Sequence, residues 1–281
     1  MLSVSLTQKV SLFQTQPQLL DALARTRLQL SAFAADISLL VNRPPQILLL
    51  FSSVCAIADL LHLQLLLSAY EALYSLDVQT RFLPDNDLCS PQPPSALQTA
   101  SHLIIPSNSL AADCVMQRLR SIQSSDTNDT RTKLLLFGTA QSVGSTFHLT
   151  ERGQPRDNAS LGWLSALPTV LLPPGKRSSV GPPVMHSFEQ ALAVGTGRAR
   201  CVDVASRSKK AFFGVFCKRA GDRLFVVNLR NETAQVGVDG WLESGQVARD
   251  AWRLSAVDLT HLELGPNGVM VLEKSYEYSR G

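Results

Sequence analysis

The sequence predicts an α/β chain: a Rossmann-like or flavodoxin-like three-layer sandwich followed by a small antiparallel β-sandwich. Three observations predict it. Short apolar runs alternate with helix-length segments from residue 46 to about residue 175. Beyond a connector rich in proline and glycine, from Pro168 to Pro183, helical periodicity gives way to short β-rich runs. The 281 residues suffice for about two domains. The expected division is an N-terminal helical segment over 1–45, an α/β domain over 46–175 and a β domain over 186–281.

The N-terminal segment comes first. Leu20, Leu23, Leu30, Phe33, Ile37 and Leu40 recur at helical spacing and predict one helix over 17–41, stopped by Pro44-Pro45. Its apolar stripe must dock on the α/β domain, or the segment stays poorly ordered. Ile47–Phe51 is a continuous apolar run, as in a strand covered on both faces. Ala56–Leu76 reads as a long helix and Val78–Leu83 as the second strand. A Pro/Asp/Ser loop over 84–94 leads to a third strand, His102–Ile105, ended by Pro106. Ser109–Ile122 reads as a helix, Ser124–Thr132 as a polar linker and Lys133–Phe137 as the fourth strand. This alternation implies a parallel sheet with right-handed crossovers. Beyond the connector, Cys201–Ala205, Ala211–Cys217, Arg223–Leu229, Thr233–Val238 and Val269–Glu273 read as strands, with a tight turn at Ala220-Gly221-Asp222.

Composition narrows the function classes. Apolar residues make up 45% and charged residues 17%, which suits a chain with a real core and not a largely disordered one. A net charge of +3 is too weak to argue for nucleic acid or a membrane surface. Ile47–Leu67 is apolar enough to suggest a membrane span. However, Asp59, His62 and Gln64 interrupt it, and a charge at mid-bilayer costs about 3 kcal/mol. The five cysteines, Cys55, Cys89, Cys114, Cys201 and Cys217, form no C-x-x-C pair and read as free thiols in a reducing, cytoplasmic setting. Met1–Phe13 does not read as a secretory leader. The glycosylation sequons at Asn128, Asn158 and Asn231 are then expected to be chance matches in polar turns.

No catalytic, cofactor-binding or metal-ligating set is expected. Cys55 follows the first strand, at the edge where α/β folds place ligands. A nucleophilic thiol needs a base, and His62 lies about two helical turns, or about 10 Å, further along. A buried structural cysteine is the expected reading. Gly138-Thr139-Ala140-Gln141-Ser142 occupies the place of a nucleophile elbow but does not match one. Gly195-Thr196-Gly197-Arg198 lacks the third glycine of a dinucleotide loop. Glu71, Glu151, Glu189, Glu232 and Glu263 are scattered, with no pair set by a motif for glycoside hydrolysis. Trp163, Trp241 and Trp252 are candidates for a sugar platform, with core packing as the plainer expectation.

The order of these pieces resembles the C-terminal part of a glycoside hydrolase family 42 β-galactosidase. The helix over Leu19–Val41 resembles the one leaving that family's catalytic barrel. Ile47-Leu-Leu-Leu-Phe51 and Tyr70-Glu71-Ala72-Leu73 resemble the opening of its trimerisation domain. Phe82-Leu83-Pro84 and Leu103-Ile-Ile-Pro-Ser107 resemble its next strands. Gln141-Ser-Val-Gly144 to Gly153-Gln-Pro-Arg156 resembles its loop after the fourth strand, although Ser124–Thr132 stands where a Gly-Gly turn is expected. Leu224-Phe-Val-Val-Asn-Leu229 and Leu264-Gly-Pro-Asn-Gly-Val269 resemble strands of its small β domain. The resemblance implies a class I glutamine amidotransferase-like fold without that class's catalytic cysteine. It also implies self-association, by resemblance as a trimer.

A catalytic barrel takes about 250 residues, so none fits beside two other domains. The family's catalytic glutamates therefore have no counterpart here. The expected role is a non-catalytic assembly segment, whose partners are copies of itself, a barrel-containing subunit or carbohydrate. Two alternatives stand beside it: an amidotransferase-like hydrolase using Cys55, and a carbohydrate-binding module using a tryptophan.

Overall fold

The structure, a computed structural model, describes residues 24–28, 31–92, 94–124, 132–172, 182–192, 199–204, 214–244 and 246–276. The chain divides into two units, residues 1–42 and 43–281. In the first, residues 24–28 are helical and α1 spans Ala34–Val41. The single helix expected over 17–41 is therefore interrupted. Phe33, with φ −111° and ψ 14°, caps α1 from outside the helical region. The apolar spacing alone cannot reveal this, because it continues across the break. Asn42 closes α1 by donating its backbone N–H to the Ser38 carbonyl at 3.0 Å. Residues 1–23 lie outside the described part.

The second unit opens with a parallel sheet. Its strands are β1 (Ile47–Phe51), β2 (Thr80–Pro84), β3 (His102–Pro106), β5 (Lys133–Gly138) and β7 (Thr169–Leu171), in the order β2-β1-β3-β5-β7. A two-stranded parallel ribbon, β4 (Leu110–Ala111) with β6 (Leu149–Thr150), lies apart from it. The strands are apolar at successive positions because both faces are buried. Ile47 and Leu49, Ile104, and Leu135 and Phe137 feed one core. The alternate residues Leu48 and Leu50, Leu103 and Ile105, and Leu134 and Leu136 feed the other. This is the period of two that a strand imposes on its side chains. Helices α3 (Leu60–Ser75) and α5 (Pro182–Ala191) cover the first face through Leu65, Leu66, Ala69, Val184, Met185 and Phe188. Helix α4 (Asp113–Ser124) covers the second through Val115, Met116 and Leu119.

The structure departs from expectation at several boundaries. The helix expected over 56–76 is two: α2 (Ser53–Ala58) and α3, separated by Asp59 in an extended conformation. Asp59 Oδ1 accepts the Leu61 N–H at 2.9 Å, so a capping carboxylate restarts the helix. The helix expected from Ser109 begins at Asp113, because Leu110–Ala111 pair with β6. Helix α5 begins at two prolines within a stretch expected to be connector. Proline is tolerated in a helix's first turn, where its missing N–H costs nothing.

The remaining strands are antiparallel. One sheet runs β13-β12-β15-β10-β9 and the other β14-β11-β8. Their ranges are β8 (Arg200–Asp203), β9 (Val215–Ala220), β10 (Arg223–Asn228), β11 (Ala234–Asp239), β12 (Gln246–Asp250), β13 (Ala256–Val257), β14 (Leu262–Leu264) and β15 (Val269–Tyr276). Cys217, Leu224 and Val226 from the first sheet meet Cys201, Val236 and Leu262 from the second in one core. This is the arrangement of a β-sandwich. The β9–β10 turn falls at Gly221-Asp222 as expected, with Gly221 at φ +58°. Strands β12 to β14 are short and carry no sequence signal of their own.

Candidate functional site

The carboxyl edge of the parallel sheet is where α/β folds place ligands, and both Cys55 and His62 lie there. Ser52 follows β1 and caps α2, its Oγ accepting the Cys55 N–H at 3.4 Å. Cys55 is wholly buried, and its thiol donates to the Leu110 carbonyl at 3.4 Å. Burial pushes that thiol above its ordinary value, against smaller opposing effects of Ser52 and Leu110. His62, also wholly buried, uses both ring nitrogens on backbone. Its Nε2 accepts the Ser52 N–H at 3.4 Å, and its Nδ1 faces the Ser107 carbonyl at 3.4 Å. That pairing selects the tautomer with the proton on Nδ1. Burial lowers the His62 pKa, against the smaller opposing effect of the Ser107 carbonyl. The pair is thus a neutral imidazole tying β1 to β3 and a protonated thiol held elsewhere.

The turn after β5 is likewise a packed polar knot. A side chain at Gly138 would meet Ser142 Oγ at 2.7 Å and the Ser107 Cβ at 2.8 Å, so glycine is required by close approach. Thr139 and Ser142 form a reciprocal capping box for the helical turn over Ala140–Gly144. Ser107 Oγ donates to the Ser142 carbonyl at 2.5 Å. The hydroxyls that resemble an elbow are occupied in holding β3 and β5 together. Gly195–Arg198 lies outside the described residues.

The glutamates sit on separate elements: Glu71 on α3, Glu189 on α5, Glu151 after β6, Glu232 after β10 and Glu263 on β14. Trp241 is buried in the β core, and Trp163 packs against the second core of the parallel sheet. Both keep a buried indole N–H with no partner among the described residues. Trp252 differs, being 46% exposed. It lines a groove of about 330 Å³ together with Asp250, Arg253, Glu263, Val269 and Met270. Asp250 shapes this corner by accepting the backbone N–H groups of Trp252 and Arg253 at 2.8 and 3.1 Å.

Four cysteines overturn the free-thiol expectation. Cys89–Cys114 and Cys201–Cys217 are disulfides, with Cα–Cα distances of 5.1 and 5.9 Å, and Cys55 remains free. The first ties the loop after β2 to α4; the second ties β8 to β9 across the two sheets. Wide spacing along the chain hides partners that folding makes adjacent. The cytoplasmic expectation rests on those thiols and loses that support.

A cluster with no signal in the sequence joins the α/β and β parts. Asp77, after α3, adopts φ +53° and is 7% exposed at its side chain. Lys218 Nζ on β9 lies 3.5 Å from its carboxylate and Arg43 lies 3.6 Å away. Lys218 also donates to the Tyr74 carbonyl at 2.7 Å and sits 4.0 Å from the Tyr74 ring centroid, while Phe216 meets that ring edge-on. Burial raises the Asp77 pKa, and the Lys218 and Arg43 charges oppose that rise.

Among the described residues, no group of three or more His, Cys, Asp or Glu could hold a metal ion. None of the described helices is long and apolar enough to cross a membrane. The apolar segment 47–67 is instead β1, α2 and the start of α3.

No family model matches the sequence, and no curated protein does. Solved structures do match in fold. An exo-carrageenase of glycoside hydrolase family 42 from Bacteroides ovatus matches with TM-score 0.54 at 14% identity, over 84% of this chain and 30% of that one. The family 42 β-galactosidase Gan42B from G. stearothermophilus matches with TM-score 0.51 at 10% identity, over 84% of this chain and 41% of that one. A β-galactosidase from the psychrophilic Marinomonas ef1 matches with TM-score 0.50 at 14% identity, over 89% of this chain and 41% of that one. At these identities the likeness is one of fold, and the chain spans less than half of each matched structure. The chain is thus similar in fold to part of these family 42 glycoside hydrolase structures.

Proposed function

We propose that this chain is an assembly segment of a glycoside-hydrolase-like protein, non-catalytic by itself, that associates with copies of itself through its α/β domain. The carrying observation is the outward face of α2 and α3. Helix α3 is apolar nearly all round: His62, Leu65, Leu66, Ala69, Ala72 and Leu73 are buried, yet Leu60 and Leu67 are 68% and 48% exposed. On α2, Val54 and Ile57 are 49% and 90% exposed. A helix apolar on both faces suits a place inside a larger structure. Phe82, on the edge strand β2, is 40% exposed as well. The part-chain likeness to family 42 enzymes supports the same reading, and so does the commitment of Cys55 and His62 to backbone. Sedimentation over a range of concentrations tests it. The wild-type chain is expected to self-associate, and I57K/L60K to shift strongly toward monomer without losing its fold, since both side chains are exposed. A chain that stays monomeric at high concentration defeats the reading.

The groove at Trp252 favours a second role, carbohydrate binding by the β domain. An exposed indole offers a face for a sugar ring, and Glu263 and Arg253 flank it with groups that bond hydroxyls. A galactose-containing oligosaccharide is expected to quench tryptophan fluorescence in the wild type and not in Trp252→Ala. Equal response in both, or none in either, removes this role.

A further inference from the structure

We propose that this chain matures in an oxidising compartment and that Asn231 is an acceptor for an N-linked glycan. The starting point is the disulfide pair. Cys89–Cys114 lies in the α/β part and Cys201–Cys217 in the β part, so two separate regions each bring a cysteine pair within bonding distance. The one remaining thiol, Cys55, is wholly buried. Four of five cysteines are thus arranged for oxidation and the fifth is kept from it. Disulfides of this kind form and persist in oxidising compartments. Where such a compartment also holds an oligosaccharide transferase, an exposed Asn-x-Ser/Thr tripeptide is an acceptor.

Accessibility then separates the sequons. Asn231, Glu232 and Thr233 are all exposed, in the connection between β10 and β11. Neighbouring contacts hold this connection in shape: Asn228 Nδ2 donates to the Glu232 carbonyl at 2.9 Å, and Asn267 Nδ2 faces Asn231 Oδ1 at 3.5 Å. At the second sequon, Asn158 opens a helical turn and the Ser160 hydroxyl is committed to the Asp157 carbonyl at 2.6 Å. The tripeptide there is folded back on itself, with its hydroxyl occupied. Asn128 lies outside the described residues. Asn231 is therefore the favoured acceptor.

The chemistry balances with two co-reactants that such a compartment holds. For each disulfide, two thiols lose two protons and two electrons to the disulfide of an oxidoreductase, which becomes a dithiol. For the glycan, the Asn231 amide nitrogen forms a bond to the anomeric carbon of a lipid-diphosphate-linked oligosaccharide. The bond from that carbon to phosphate oxygen breaks, the lipid diphosphate departs, and the amide loses one proton.

The test uses the full chain as its own cells make it, alongside Thr233→Ala, Asn231→Gln and Asn158→Gln made in the same cells. Peptide N-glycosidase is expected to lower the mass of the wild type and leave aspartate at position 231. Without reductant, Cys89, Cys114, Cys201 and Cys217 are expected to resist alkylation in denaturant, leaving Cys55 alone to react. Thr233→Ala, which keeps the asparagine but breaks the tripeptide, is expected to lose the glycan at Asn231, as does Asn231→Gln. Asn158→Gln is expected to retain it. The proposal is overturned by an unchanged mass after digestion, by five alkylated thiols, or by a wild-type mass shift in Thr233→Ala.

Discussion

Reduction of the two disulfides is expected to lower the stability of residues 43–281 by about 6 kcal/mol. Cys89–Cys114 closes 25 residues and Cys201–Cys217 closes 16. In the chain-entropy picture, loops of that length restrict the unfolded chain by about 3 kcal/mol each. The loops do not overlap in sequence, so their effects should add to a good approximation. The whole stability of a domain is of the order of 5–15 kcal/mol. Losing about 6 kcal/mol would leave little, and the β-sandwich is the more vulnerable because its bridge spans both sheets. Urea unfolding with and without reductant measures this. Coincident midpoints would mean the cysteines do not stabilise the native chain.

Lys218→Met is expected to cost about 3 kcal/mol, and more than any exposed charge in the chain, because it leaves the buried Asp77 carboxylate with Arg43 in place of two cations. Three contributions act together: the ion pair, the hydrogen bond to the Tyr74 carbonyl and the contact with the Tyr74 ring. The pH dependence has a definite sign. Asp77 has a raised folded-state pKa, so its proton-linked stability is complete below the unfolded value of 3.8 and is lost as pH rises through the folded value. Removing Lys218 removes the largest opposing effect, so the raised pKa climbs further. The Lys218→Met chain should therefore be most impaired near neutral pH and partly recover on acidification. Asp77→Asn is the partner test, since asparagine tolerates the left-handed backbone at this position. In the double variant, much of the loss should return. Denaturant midpoints for the two single variants and the double variant measure the coupling, and simple addition of the two single effects would rule that coupling out.

Features of this fold differ in how far the sequence discloses them. Strands β1, β3 and β5 are legible because each is apolar at successive positions, and burial on both faces requires that. The Gly221-Asp222 turn is legible because few residue pairs fit it. The break at Asp59 is not, since the apolar pattern continues through it and only its capping bond to Leu61 marks the restart. Helix α5 is hidden because its opening prolines suit a connector equally well. At the sheet edge, the residue types of Cys55 and His62 suggest chemistry. Their hydrogen bonds, which commit both to backbone, arise from three separate elements.

The order of a parallel α/β part and an antiparallel β part can be read directly from the residues. Both come from side-chain periodicities that act over a few residues. Which cysteines pair, that Asp77 and Lys218 join the two parts, and that Trp252 lines a groove emerge with the fold. Each of these depends on residues far apart in the chain, and no local pattern records a distance that exists only after folding.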